Sequence, residues 1–311
     1  MSFNIQNGVL VEYTGACEKK VIVPDGVKAI GNKAFQSLSS MTDSIKEIVL
    51  PEGLLSVGDD AFNSRMELEK INIPSSVQHI GWAAFHCCWS LKSITVPEGI
   101  TSISGFTFWS CKMLSEVKLP ESLTEIGRNA FGGCTGLRNI TIPENVSVIG
   151  CEAFKKCTTL RCINIPEKVD TIGNNTFQEC RSLNTLTLTC GGKTADIDLS
   201  CVDKYSKAEN KLLNNAVKML VERDFSMKFE GKTKFRLITE LYLGTGNEDA
   251  LAYISRNIKK TVKLFIDSEE HDILGKLLPH VRITKASLGE LIRYADEKEN
   301  FTAFDMLSEL Q

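Results

Sequence analysis

At 311 residues, with 42% hydrophobic and 24% charged side chains, the chain is long enough for two ordinary soluble domains or one elongated one. The formal net charge is −3, with 18 basic and 21 acidic residues in 1–200 and 18 of each in 201–311. Neither half carries the basic excess that nucleic acids or anionic membranes require, and no window reaches the roughly 18 apolar residues of a membrane span. The first residues, MSFNIQNGVLVEY, lack the basic and apolar regions of a signal peptide, and the final SELQ carries no lipidation motif. A cytoplasmic protein is therefore expected, with the cell surface as the alternative.

From the N-terminus onward the dominant feature is a repeat. Phenylalanines fall at 35, 62, 85, 108, 131, 154 and 177; the first gap is 27 residues and the next five are 23. With each Phe numbered zero, isoleucine or valine sits at −5 (Ile30, Val57, Ile80, Ile103, Ile126, Ile149, Ile172). Glycine follows at −4, except at Ser104, and alanine or threonine stands at −1. Cysteine occupies +3 in five successive units (Cys88, Cys111, Cys134, Cys157, Cys180), and leucine occupies +6. Apolar residues at +9 and +11, as in Ile140 and Ile142, predict a short strand with one buried face, and the proline that usually follows ends the ladder. The 0, +3, +6 spacing predicts a helical or 3₁₀ turn, entered through the glycine. A second extended segment is expected from −8 to −5. One unit orders too many backbone groups for the apolar surface it buries, so stability requires coil stacked on coil. The extra residues between Phe35 and Ile48 are expected to bulge as a loop.

The pattern IGxxAFxxCxxLxxIxIPxxV resembles the BspA-like (Treponema-type) leucine-rich repeats of bacteria and some protists, over about residues 8–190. That resemblance implies a curved right-handed solenoid and a role in protein or surface adhesion. It names no partner.

After Leu188 the repeat gives way to a polar transition, and from Ser206 the apolar period becomes helical. Helices are predicted over AENKLLNNAVKMLVERD and near 233–243, 247–257, 258–268, 270–278, 285–298 and 300–310. TVKLFIDSEEHDILGKLL and ELIRYADEKENFTAFDMLSEL align at an offset of 29 residues and resemble degenerate ankyrin repeats, without their TPLH-type signature. The expected fold class is α/β: a curved leucine-rich-repeat solenoid with a parallel sheet over 1–200, then an all-α helical-hairpin domain over 201–311, which also serves as a polar cap for the solenoid end.

No constellation for catalysis is visible. The four histidines (His79, His86, His271, His280) form no HExxH array, and no GxSxG occurs. Two GKT tripeptides, at 192–194 and 231–233, lack the first glycine of a P-loop. The +3 cysteines would line up along the stack instead of converging as zinc ligands need, so buried free thiols are expected, with Cys162 on the exposed strand face as the reactive one. No catalytic residue, metal or cofactor is assigned.

The candidate site is aromatic. Positions −3, −2, +1 and +4 are small or polar in most units, but the third and fourth units hold Trp82, Phe106, His86, Trp109 and Trp89, including all three tryptophans of the chain. The offsets −3, +1 and +4 would share one face of a helical turn. Clustered exposed aromatics mark interaction surfaces; the same rings could instead pack against the helical domain or a second copy. The competing surface is the open face of the sheet, at +8 and +10: Lys70, Asn72, Thr95, Glu116, Lys118, Asn139, Thr141 and Asn164. The expected function is a non-catalytic protein–protein interaction scaffold with an unknown protein partner, without nucleic acid or membrane insertion. A surface adhesin exported without an obvious signal is one alternative. A nucleotide- or ligand-binding regulator with its site in the helical domain is the other.

Overall fold

The computed structural model describes residues 2–15, 18–36, 44–202, 212–227 and 231–311. Each coil contributes two short strands that stack coil on coil into parallel ladders, the first interrupted between His79–Ile80 and Ser102–Ile103 and the second after Lys70–Asn72 and again after Glu116–Lys118. The first ladder is built at −6 and −5 (Ala29–Ile30, Ser56–Val57, His79–Ile80, Ser102–Ile103, Glu125–Ile126, Val148–Ile149, Thr171–Ile172). The second is built at +8 and beyond (Glu47–Val49, Lys70–Asn72, Ser93–Thr95, Glu116–Lys118, Asn139–Ile140, Cys162–Ile165, Thr185–Cys190). Equivalent residues pair in register, Ser56 with His79 and Ile163 with Leu186.

The arc between the ladders differs from the expected helical turn. In the third unit His86 N–H donates to Ala83 O (3.0 Å), Cys88 to Phe85 O (3.2 Å) and Leu91 to Cys88 O (3.2 Å). The turns do not join into a helix, because the −2 and +2 residues are left-handed: Ala83 and Cys87 at φ 52° and 58°, and Asn129, Lys156 and Asn175 likewise. The stacking explains this conformation. N–H groups at −2, 0 and +2 donate to carbonyls at −3, −1 and +1 of the next coil, as in Ala83 to Gly105 (3.0 Å), Phe85 to Thr107 (2.9 Å) and Cys87 to Trp109 (2.8 Å). A helix would spend those donors on itself; the left-handed residues turn them toward the neighbour. The arc is thus a third hydrogen-bonded seam. The −4 glycine has a related role. Among these glycines the backbone is not left-handed, but a Cβ at Gly173 would lie 2.2 Å from Cys151 N. Glycine is required there for close approach between coils, not for the sharp turn expected from sequence.

The core is a column of rings. Phe3, Tyr13 and the seven repeat phenylalanines stack with centroids from 5.0 Å (Tyr13–Phe35) to 5.9 Å (Phe154–Phe177). Beside it each +3 thiol donates to the Phe carbonyl of the preceding coil, from Cys88 to Phe62 (3.3 Å) through Cys180 to Phe154 (3.0 Å). Where the second unit has Arg65 in place of cysteine, its buried guanidinium Nε donates to the equivalent carbonyl of Phe35.

An antiparallel hairpin, Phe3–Gln6 with Val9–Tyr13, begins the first ladder. At the other end Thr185–Cys190 turns back through Gly191 and Gly192 (φ 58° and 71°) into Lys193–Asp198. Among the described residues seven α-helices follow: α1 (Leu212–Glu222), α2 (Gly231–Thr245), α3 (Glu248–Arg256), α4 (Ile258–Asp267), α5 (His271–Leu277), α6 (Lys285–Glu297) and α7 (Phe301–Ser308). The pairs α4–α5 and α6–α7 repeat a left-handed residue, Glu269 and Glu299 (φ 56° and 54°), followed by a capping position. Their equivalence therefore runs at one residue more than the offset read from sequence.

Helix α1 closes the solenoid. Asn214, only 4% exposed, accepts the Phe177 N–H on its Oδ1 (3.3 Å) and donates to Gly173 O (3.5 Å). In every earlier coil that Phe N–H is taken by the next coil's carbonyl at −1. Helix α2 lies on the terminal hairpin, where a Cβ on Gly244 would meet Ala195 Cβ at 2.2 Å. Arg236 of α2 pairs with Asp198 (2.9 Å), and Glu240 accepts the Asp198 N–H (2.9 Å).

Candidate functional site

The arc that carries the aromatic residues is held on both sides by main-chain bonds to its neighbours, so its side chains project from a fixed frame. Trp82 is 49% exposed; its main-chain N–H donates to Asp59 Oδ1 (2.7 Å), and its indole lies over Gly105, the same position one coil on. Phe106 tilts against it at 5.3 Å and is half-buried. Phe106 holds φ 59°, a conformation costing an L-residue about 1–2 kcal/mol; the seam imposes it at every −2 position.

His86 and Trp109, at +1 of consecutive coils, stack at 4.8 Å with planes 12° apart. Both are half-buried. His86 Nδ1 lies 3.2 Å from Asn63 Oδ1, one coil back, while Trp109 rests on Gly132, one coil ahead. The +1 column therefore reads Asn63, His86, Trp109, Gly132. Burial pushes the His86 pKa down, partly opposed by the carboxylate of Asp60. Trp89, 37% exposed, carries the Lys112 ammonium 3.7 Å above its ring, with Met113, 54% exposed, next along the chain.

The five predicted residues thus form two ring pairs and a third ring with its cation, spread over the arcs of two coils. They do not lie on one helical face, because the left-handed +2 residue Cys87 stands between His86 and Trp89. Three partners were not singled out from sequence: Lys112, Met113 and the polar support Asn63. The glycines under the rings carry a sequence signal, since Trp82 is followed 23 residues later by Gly105, and Trp109 by Gly132. Large-then-glycine along one column shows where a ring can lie flat on the next coil.

On the open face of the second ladder, Lys70, Asn72, Thr95, Glu116, Lys118, Asn139 and Thr141 are exposed. Asn164 is half-buried and committed: its amide accepts Ile142 N–H (2.7 Å) and donates to Ile142 O (2.8 Å), bridging the neighbouring coil where strand pairing has ended. Its amide is therefore engaged within the solenoid. Cys162 is half-buried, with its thiol 3.5 Å from Asn139 Oδ1. The GKT at 192–194 lies in the terminal hairpin, and the Gly191 and Gly192 N–H groups donate to Glu167 (2.7 and 3.2 Å). A carboxylate thus occupies donors that a phosphate would need. The GKT at 231–233 opens α2. Among the described residues no group of three or more histidine, cysteine or acidic side chains is placed to hold a metal.

A model of the BspA-type leucine-rich repeat region, in six copies, matches residues 12–138 and 124–228. The chain belongs to the BspA-type leucine-rich repeat family. Among solved structures it is similar to a leucine-rich repeat protein of T. pallidum, with 30% identity and a TM-score of 0.53, over 58% of this chain and 87% of that one. It is also similar to a leucine-rich repeat protein from Bacteroides ovatus, with 27% identity and a TM-score of 0.37, over 54% of this chain and 60% of that one. None of the curated proteins matches the chain. BspA-type repeats, like leucine-rich repeats at large, generally form protein-interaction scaffolds without catalytic activity. Among the described residues no helix is long and apolar enough to cross a membrane.

Proposed function

We propose that this BspA-type protein is a non-catalytic scaffold that captures a protein partner on the aromatic arc of its third and fourth units, through Trp82, Phe106, His86, Trp109 and Trp89. The observation that carries the reading is the exposure of Trp82 and Trp89 on a backbone whose conformation the coil-to-coil seam already holds. Rings fixed before binding lose little freedom on association, and tryptophans dominate the energetics of interfaces. The exposed polar face of the second ladder offers no comparable anchor. We further propose that the protein works where thiols stay reduced, as in the cytoplasm, because five ladder cysteines use their S–H groups as donors to carbonyls.

The partner is identified by affinity capture and mass spectrometry, then tested against Trp82→Ala, Trp89→Ala and Trp109→Ala, with Lys70→Ala and Thr95→Ala as controls on the other face. Trp82→Ala and Trp89→Ala should melt like the parent and weaken capture by about 2 kcal/mol or more if they stand at the interface centre. Phe85→Ala should instead cost about 3–5 kcal/mol of stability, as a truncation in the ring column. Capture unaffected by the tryptophan changes but lost with the Lys70 and Thr95 changes would move the site to the sheet face.

A further inference from the structure

Among the described residues three of the solenoid's four ladder ends are covered. The first ladder begins in the antiparallel hairpin Phe3–Gln6/Val9–Tyr13 and ends against α1. The second ends in the strand Lys193–Asp198, itself covered by α2. The fourth end is the strand Lys20–Ile22, which pairs with Glu47–Val49 on one side. Among the described residues no strand or helix pairs with its other edge. Val23 N–H and Lys19 O are used toward the second coil (Val23 N to Val49 O, 2.9 Å; Lys46 N to Lys19 O, 2.8 Å). By strand alternation, the main-chain groups of Lys20 and Ile22 face outward. The end is also apolar: Ile22 is 59% exposed, and Val49 beside it is half-buried, where later rungs of that column carry Asn72, Thr95, Lys118 and Thr141.

We propose that this edge receives one extended segment of a partner protein, added as a further parallel rung, with an acidic residue opposite Lys20, an apolar residue over Ile22 and a small residue between them, since Val21 is already fully buried. The column through Lys20 specifies the charge. It runs Lys20, Glu47, Lys70 in register, with Lys20 and Glu47 paired at 3.1 Å, so the vacant rung continues the alternation only if it is negative. The same preference for bracketed carboxylates shows at Glu69, held between Lys46 (2.8 Å) and Lys92 (2.6 Å). Main-chain bonds supply affinity in such strand addition, and side chains supply register. A second copy of this chain is a poorer occupant, because its own strand Lys20–Ile22 carries no acidic residue to meet Lys20.

The acidic and apolar outward positions are those of Glu47 and Val49 in the strand that pairs with this one on its other side. The probe is therefore an acetylated, amidated, dye-labelled peptide copying residues 45–50 with alanine in place of Ile48, titrated with the full chain by fluorescence anisotropy. Saturable binding is expected at sub-millimolar concentration. Lys20→Glu should weaken it roughly tenfold while melting stays near that of the parent. A peptide with lysine in place of the glutamate should bind Lys20→Glu better than it binds the parent. Trp82→Ala should leave the affinity unchanged, which separates this edge from the aromatic arc. Absence of saturable binding, equal affinity of the parent and Lys20→Glu for both peptides, or sedimentation showing that the edge is occupied by a second copy would each overturn the proposal.

Discussion

At the scale of single residues, the +3 position shows how one contact is repeated with different chemistry. Five cysteines and Arg65 all donate to the Phe carbonyl of the coil before. The position thus selects a donor of suitable reach, and cysteine also fills the core as a small hydrophobe. Burial pushes the Cys134 and Cys180 thiols up to about 12, and those of Cys111 and Cys157 well above their ordinary value. A thiol held protonated is a poor nucleophile. In native protein these four should therefore label slowly with a maleimide, whereas exposed Cys151 labels fast and half-buried Cys162 follows. Peptide mass mapping after a short pulse checks this. Rapid labelling of the ladder cysteines before unfolding would mean that the column is open to solvent.

At the scale of elements, what distinguishes this solenoid is how its coils meet and how it ends. The left-handed −2 and +2 residues give each arc outward donors, the −4 glycines let coils approach, and Asn214 accepts the last Phe N–H. Asn214→Leu keeps the branched side-chain shape and removes the acceptor, leaving a buried N–H unpaired. It should cost about 1–3 kcal/mol in urea denaturation. Gly173→Ala should cost about 1–3 kcal/mol by overpacking against Cys151 main chain. A neutral Asn214→Leu would show that α1 is not the cap. The helical period of α1 was readable from its apolar stripe, but its capping role was not, because Asn214 falls among residues that look like ordinary polar breaks in that stripe.

For the whole molecule, acid response follows from a few carboxylates. Hydrogen bonds from Lys46 and Lys92 lower Glu69 from an ordinary 4.5 to about 2, and those from Lys263 and Lys259 lower Glu290 to about 2. A depressed acid stabilises the fold above its unfolded value, and that contribution is lost as pH falls from about 4.5 toward about 2. Glu240 has the opposite sign. Burial at the hairpin–α2 contact raises it despite Arg236, so its ionised form costs stability and protonation relieves that cost. Melting temperature should therefore hold or rise slightly as pH drops toward the ordinary carboxylate range, and fall below it. Added salt should flatten the acid limb, since Glu69 and Glu290 are exposed. A fall that begins near neutrality would contradict this assignment. The proposed division after residue 200 makes a separate prediction. Limited proteolysis should cut first near residues 195–206, and preferred cutting inside 80–180 would argue against that boundary.

The repeat alone determined the solenoid, its coil length and its buried set, because a strict period in Phe, Leu, Ile and Cys has no other compact solution than coil on coil. It also located the aromatic residues, since three tryptophans at normally small or polar positions break the pattern visibly. The tertiary structure decided the rest. Spacing of three suits both a 3₁₀ turn and a string of separate turns, and only the neighbouring coil's demand for N–H donors selects the latter. Offsets within one coil could not show that His86 stacks on Trp109 or that Asn164 is consumed by Ile142, because both contacts join residues 22 or 23 apart. Which ladder end is left uncovered among the described residues likewise depends on where the hairpins and α1 fold back. That is set by packing between distant segments and by no local pattern in the chain.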